Sequence, residues 1–472
     1  MRCVAINRVA GNLCRMPRSL IPVLLALVVL GAACSGSAGE TTTTAVPAET
    51  TSAPETTLPA DTAGVTTPPT TEATPTPSVD PGQPTEATIV ADDPNPELVA
   101  TINGLIAITE ETRGLKFLRS PLVAIVTEQE LADRVSALLE EELEPDETAR
   151  DDAVYESLGI IDPQEDLREV FIDLYTEQVA GFYDGDTEEL VVPASDGNLT
   201  ALQKLTMVHE LVHSLTDQHF EFNEHSNMLY DEDRFDEASA LSGLLEGDAT
   251  WTELIYFQTG MSVQDQREVL EESLNIDTTT LDSTPSFIAD SLIWPYDLAG
   301  GTGFVSSLWT ETGDFSAVNA AYESLPTTTE QVIDLDAYRD REEAAAVTLL
   351  PTPVPGYEVG EESTWGQQAY AALFNQSLST RTAEDAANGW GGDVYRVLWD
   401  GDNAIFVNLF AGDEASDAEE MYAAWSELGQ TQIPSDRYFF VGTTGNEVLV
   451  IVADSEATGE AVLEPYRAIF AD

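Results

Sequence analysis

Apolar residues recur at helical spacing through ELVATINGLIAITEETRGL, residues 97–115, and the pattern then collapses into a continuous run, Pro121 to Val126, that predicts a buried strand. Asp162-Pro163-Gln164-Glu165 sets a capping acid, a proline suited to the first helical position and a reciprocal glutamate together, so it predicts a helix start. Leu167, Val170, Phe171, Leu174 and Val179 would form the buried stripe of that helix, which ends around Ala180-Gly181. Between Gly181 and Val192 an Asp-Gly turn separates two short β-prone runs, the pattern of a hairpin. Thr200 and Gln203 make a second capping box, and the helix it opens carries Leu202, Leu205, Val208, Val212 and Leu215 on one face.

The pattern changes after Glu362. A helix is expected around 363–376, followed by two similar stretches, 393–425 and 436–469, each reading strand, tight turn, strand, helix. Ile405, Val407 and Leu409 alternate in the first, and Val448, Val450 and Val452 in the second. The expected fold class is α+β: a main domain over 96–345, then a small α+β domain of duplicated ββα units over 346–472.

Composition sets the two N-terminal segments apart. Residues 35–95 are almost wholly Thr, Pro, Ala, Ser, Glu and Gly, too poor in apolar surface to offset the entropy of ordering, and so read as a disordered linker. Within 1–34, Arg2, Arg8, Arg15 and Arg18 accompany the apolar run Leu20 to Leu30 and the small residues before Cys34, the layout of an export signal. Cys34 at the cut fits a lipoprotein signal except that Gly31 stands where an aliphatic residue is usual. A lipid on Cys34 would hold the chain to the extracytoplasmic face of the cell membrane; without it the protein would be secreted. The cysteines are Cys3, Cys14 and Cys34, which leaves the exported part no disulfide. With 85 acidic against 19 basic residues and a net charge of −66, nucleic acid is excluded as an expected partner.

The candidate chemistry lies in HELVHSLTDQH, residues 209–219. On a helix His209 and His213 stand one turn apart, so both imidazoles can reach one ion, and Glu210 is placed to take a proton from a water bound to it. A tetrahedral zinc site needs a third protein ligand. His219 has the spacing for it, but that arrangement requires a sharp turn at the position of Thr216, which a β-branched residue resists. Glu246, in the helical stretch Asp236 to Ala249, is the stronger candidate, because Ser239, Ser242 and Gly243 permit close approach to the histidine helix. Asp217 and Asp248 are candidates to accept the free imidazole N–H.

HELVHSLTDQHF followed by EGDA resembles the gluzincin zinc metallopeptidases, and more closely the peptidase MA-like bacterial lipoproteins. Further matching segments are Glu177 to Asp184, Asp217-Gln218, Pro295-Tyr296 with Gly300 to Val305, Thr329-Glu330-Gln331 and Gly389 to Asp393. The resemblance implies a zincin-like catalytic domain, zinc held by His209, His213 and Glu246, Glu210 as general base, and a peptide or protein substrate. It further implies Tyr296 as donor to the oxyanion, against the alternative of a buried tyrosine with a satisfied hydroxyl, and the 181–192 hairpin as an edge that pairs with substrate backbone. The competing expectation is an envelope lipoprotein that keeps the fold for binding or for a single dedicated substrate.

Overall fold

The computed structural model describes residues 83–470 apart from 92–93, 144, 164, 179, 195–197 and 277. The export signal, Cys34, most of the Thr/Pro-rich stretch, Gln164 and Val179 therefore lie outside the described residues. The chain is a mixed α+β structure with two sheets. Among the described residues no helix is long and apolar enough to cross a membrane.

The first sheet holds β1 (Thr88–Val90), β2 (Leu122–Val126), β3 (Phe182–Asp184) and β4 (Glu189–Pro193) in the order β1-β2-β4-β3. β2 is the expected apolar strand, parallel to β1 and β4, with Val123 opposite Leu190. The expected hairpin is present as the antiparallel pair β3 and β4, with β3 at the sheet edge. β1 corrects the expected linker boundary at residue 95: its three residues pair with β2, and buried Thr85 just before it donates to Glu110. A sheet edge supplies the hydrogen bonds that the composition of this segment does not reveal.

Helix Pro96–Arg113 follows, capped by Asn95 and ended by Gly114 at φ 76°. The helix expected at Asp162 begins instead at Leu167. Asp162 and Glu165 bond to each other across a tight turn, while Asp166 takes the free N–H groups of Arg168 and Glu169. The turn is needed because Ile160 and Ile161 point into the core just before it.

Two long helices frame the candidate site. The histidine helix, Ala201–Phe220, opens with both halves of the Thr200/Gln203 capping box. The glutamate helix, Phe235–Ile255, packs beside it. Its small residues serve a different neighbour from the one expected: a Cβ on Gly247 would lie 2.2 Å from the Gly301 carbonyl, and Gly243 packs against Val332 and Trp294. The close approach is thus to helix Gly301–Thr312 and the turn before it.

The second sheet holds β5 (Glu358–Ser363), β6 (Trp390–Trp399), β7 (Ala404–Gly412), β8 (Tyr438–Thr444) and β9 (Glu447–Ala453), ordered β5-β6-β7-β9-β8 and antiparallel throughout. Helices Ala415–Thr431 and Glu456–Leu463 close the two ββα units, and helix Gly366–Asn375 precedes them. Every residue of β7 is buried, because its two faces enter different cores. Ile405, Val407 and Leu409 join Leu449 and Ile451 in a small cluster, whereas Phe406 and Phe410 join Val448, Val450 and Val452 in the main one. That main cluster runs across residue 345, joining Leu244 and Phe287 to Trp365 and Trp425. The two sheets therefore share a core.

Candidate metal centre

The two helices bring the expected ligands together. His209 Nε2 lies 3.1 Å and His213 Nε2 3.3 Å from the same oxygen of Glu246. One ligand atom from each residue falls within 4.8 Å of the others, and all three side chains are buried. Bonds of about 2.0–2.2 Å in tetrahedral geometry set ligand atoms about 3.3–3.5 Å apart, close to these spacings, so the three residues could hold a metal ion. His213 Nε2 and Glu246 Oε1 make no hydrogen bond although both are buried. Buried donors and acceptors without a partner occur elsewhere in the fold as well, but here two of them, with Glu210 Oε1 beside them, converge on one point.

The electrostatics point the same way. Glu210, Glu246 and Glu253 are all buried around His209 and His213, a cluster of three carboxyls out of reach of water. Burial works against the charged form of His209, yet hydrogen bonds to Glu246 and Glu253 lift it to about 10. Burial also opposes ionisation of Glu246, but the two histidines overcome it and hold its carboxyl below the usual range. A cation at this point would replace the proton now shared with His209.

Glu253 is the residue that sequence reasoning missed. Its Oε2 lies 3.1 Å from His209 Nδ1, where it fixes which nitrogen faces Glu246. The signal was available: Glu253 stands two helical turns after Glu246, on the same face. Asp217 and Asp248, the expected partners, are engaged elsewhere. Asp248 receives Arg113 Nε at 2.8 and 2.9 Å and the Tyr322 hydroxyl at 3.0 Å, while Asp217 accepts from the Tyr183 hydroxyl and the Asn223 N–H. Arg113 is fully buried, so it claims the nearest carboxylate on the glutamate helix.

Glu210 sits on the histidine helix with Oε2 accepting the Tyr183 N–H at 3.0 Å and Oε1 unbonded. Burial pushes its carboxyl well above the usual range against the pull of His209. The same bond bears on the 181–192 hairpin, whose strand β3 is at the edge of the sheet as a substrate-pairing strand would have to be. The outward N–H of β3 at Tyr183 is already given to Glu210. Tyr296 belongs to the centre as well: its ring stacks on His209 at 6.1 Å between centroids, and burial, then the Glu246 carboxylate, hold its phenol protonated. It lies on a single helical turn, Trp294–Tyr296, that packs on the glutamate helix.

His219 lies away from the ligands and bonds the Lys116 carbonyl at 2.7 Å. The helix does not turn at Thr216, whose hydroxyl instead donates to Val212 within an uninterrupted helix to Phe220. With Gln218, which accepts from Leu118 and Arg119, His219 ties the 116–119 loop to the end of the histidine helix. Comparison with protein-family models, with curated proteins and with solved structures gives no match.

Proposed function

We propose that the protein is a zinc-dependent metallopeptidase of zincin-like build, exported and tethered to the outer face of the cell membrane through a lipid on Cys34, acting on a peptide or protein substrate. The observation that carries this reading is the buried convergence of His209, His213 and Glu246, with ligand atoms left unbonded beside an independently held glutamate. Zinc held by these three side chains would supply Lewis acidity and bring the pKa of a water molecule toward neutrality. Glu253 orients His209 through Nδ1. Glu210 holds one oxygen against the Tyr183 N–H and keeps Oε1 free to take a proton and return it to the leaving amine. Tyr296, kept protonated by burial, donates its hydroxyl to the oxygen that gains charge as the peptide carbonyl is attacked.

The test is zinc content of the purified full-length protein, with hydrolysis of an unfolded protein followed in the same samples. Wild type should hold one equivalent of zinc and cut. Glu246→Ala should lose the metal, and Glu210→Gln should keep it while hydrolysis falls by about 100-fold or more. Zinc without cleavage would favour an envelope protein with a binding role or a single substrate. Absence of zinc from the folded wild type would sink the reading.

A further inference from the structure

A cleft of about 500 Å³ lies between helix Ser286–Ile293, with the turn that follows it, and the helix pair Gly366–Asn375 and Thr380–Ala387. Asp290, Asp297, Glu384 and Asp385 line it, and no lysine or arginine does. On a chain of net charge −66 an acidic lining alone means little. What distinguishes the cleft is a pair of amides. Gln367 and Gln368 line it at 6% and 7% exposure, and neither side chain makes a hydrogen bond among the described residues, although the backbone N–H of Gln368 donates to Thr329. Mostly buried side chains whose amides have no protein partner and open only to the cleft are placed to bond a polar guest there.

The wall chemistry selects the guest. Burial raises Asp290 above the usual carboxylate range against a hydrogen bond from Asn375, and a neighbouring cation would favour its charged form. Trp294 adds an aromatic surface, which attracts cations. At the rim, the chain's own Arg381 already sets its Nε 3.6 Å from Asp385. The volume is that of a pocket for a small organic group and far exceeds the need of a bare ion.

We propose that this cleft binds an organic cation, the guanidinium or alkylammonium group of a basic peptide segment, whose N–H groups are accepted by the carboxylates and by the Gln367 and Gln368 carbonyls. The site is separate from the metal ligands but adjoins their support: Trp294 and Asp297 line the cleft, and Tyr296 between them in sequence stacks on His209. The inference does not depend on the peptidase reading, because binding can be measured with hydrolysis disabled.

The experiment is calorimetric titration of the full-length Glu210→Gln protein with the peptide acetyl-Gly-Arg-Arg-Gly-amide, its citrulline counterpart, spermidine, and calcium chloride alone. The arginine peptide should bind saturably, weaken as salt rises, and lose roughly tenfold in affinity when Asp290→Asn and Glu384→Gln are combined. Gln368→Leu should weaken it too. Glu384 is exposed, so Glu384→Gln alone keeps the test open if the double variant fails to fold. Tighter binding of spermidine, with the same dependence on the acids, would support the cation site and assign it to free polyamines. Equal binding of the citrulline peptide, affinity indifferent to both acids, or calcium binding without peptide binding would overturn the proposal.

Discussion

Among the described residues, the buried carboxylates Asp393 and Glu246 are built into the molecule on opposite terms. At Asp393 every oxygen is answered: Oδ1 accepts from Gly366 N and Trp390 Nε1, and Oδ2 from Trp365 N and Asn408 Nδ2. At Glu246 one oxygen faces two imidazoles and the other has no partner. The first arrangement closes on itself and joins β6 to the start of helix Gly366–Asn375. The second is incomplete in protein atoms alone. Burial of charge therefore does not by itself mark a functional site, and neither does an open buried atom, since Asp236 Oδ2 is also unbonded; what sets Glu246 apart is that its open atoms converge with two imidazoles.

Asp393→Ala should produce the largest effect on stability. It strands four donors in the shared core, and denaturant unfolding should report a loss of about 3 kcal/mol or more while the folded fraction keeps its zinc. A variant that sheds zinc without losing stability would erase the contrast between the two carboxylates. Glu253→Gln comes next. It should lower zinc affinity about 10- to 100-fold in a chelator competition, with little change in apo-protein stability, because it removes only the group that orients His209.

The third contrast is in pH. Burial raises Asp236 from 3.8 to about 7, although Thr329 donates to it twice, and raises Asp393 to about 6. Both acids bind a proton more tightly folded than unfolded. Their stabilising contribution is fully present below pH 3.8 and is lost as pH rises through about 6 and about 7. Asp236→Asn keeps the acceptor for Thr329 and should flatten that slope in urea titrations run at stepped pH. An unchanged slope would show that Asp236 ionises normally. The smallest effect belongs to His219→Ala, which should leave zinc untouched and cost about 1 kcal/mol through the lost bond to Lys116. Loss of zinc there would return His219 to the ligand set.

Much of the site was legible in one dimension because helices convert spacing into direction. His209 and His213 had to share a face, Glu210 had to flank them, and the Thr200/Gln203 box had to start their helix. The ββα duplication was legible for the same reason, since period-2 alternation names the faces of β7 and β9 before the sheet is known. Less could be read where a backbone group chooses among distant partners. Nothing local to Asp248 shows that Arg113, 135 residues away, will occupy it, or that Glu253 will take the imidazole instead. β1 was hidden in the Thr/Pro-rich segment because its strand is made by the edge of β2.

The sequence by itself determined which side chains could bind a metal and in what order along two helices. Periodicity is a property of the backbone and needs no neighbour. Only the tertiary structure decided that Glu246 and not His219 meets the histidines, that Tyr296 lies on His209, and that Tyr183 holds the glutamate beside them. Those choices follow from how elements distant in sequence pack: Gly243 and Gly247 let the turn that carries Tyr296 and the helix after it press against the glutamate helix, a proximity that no local pattern states.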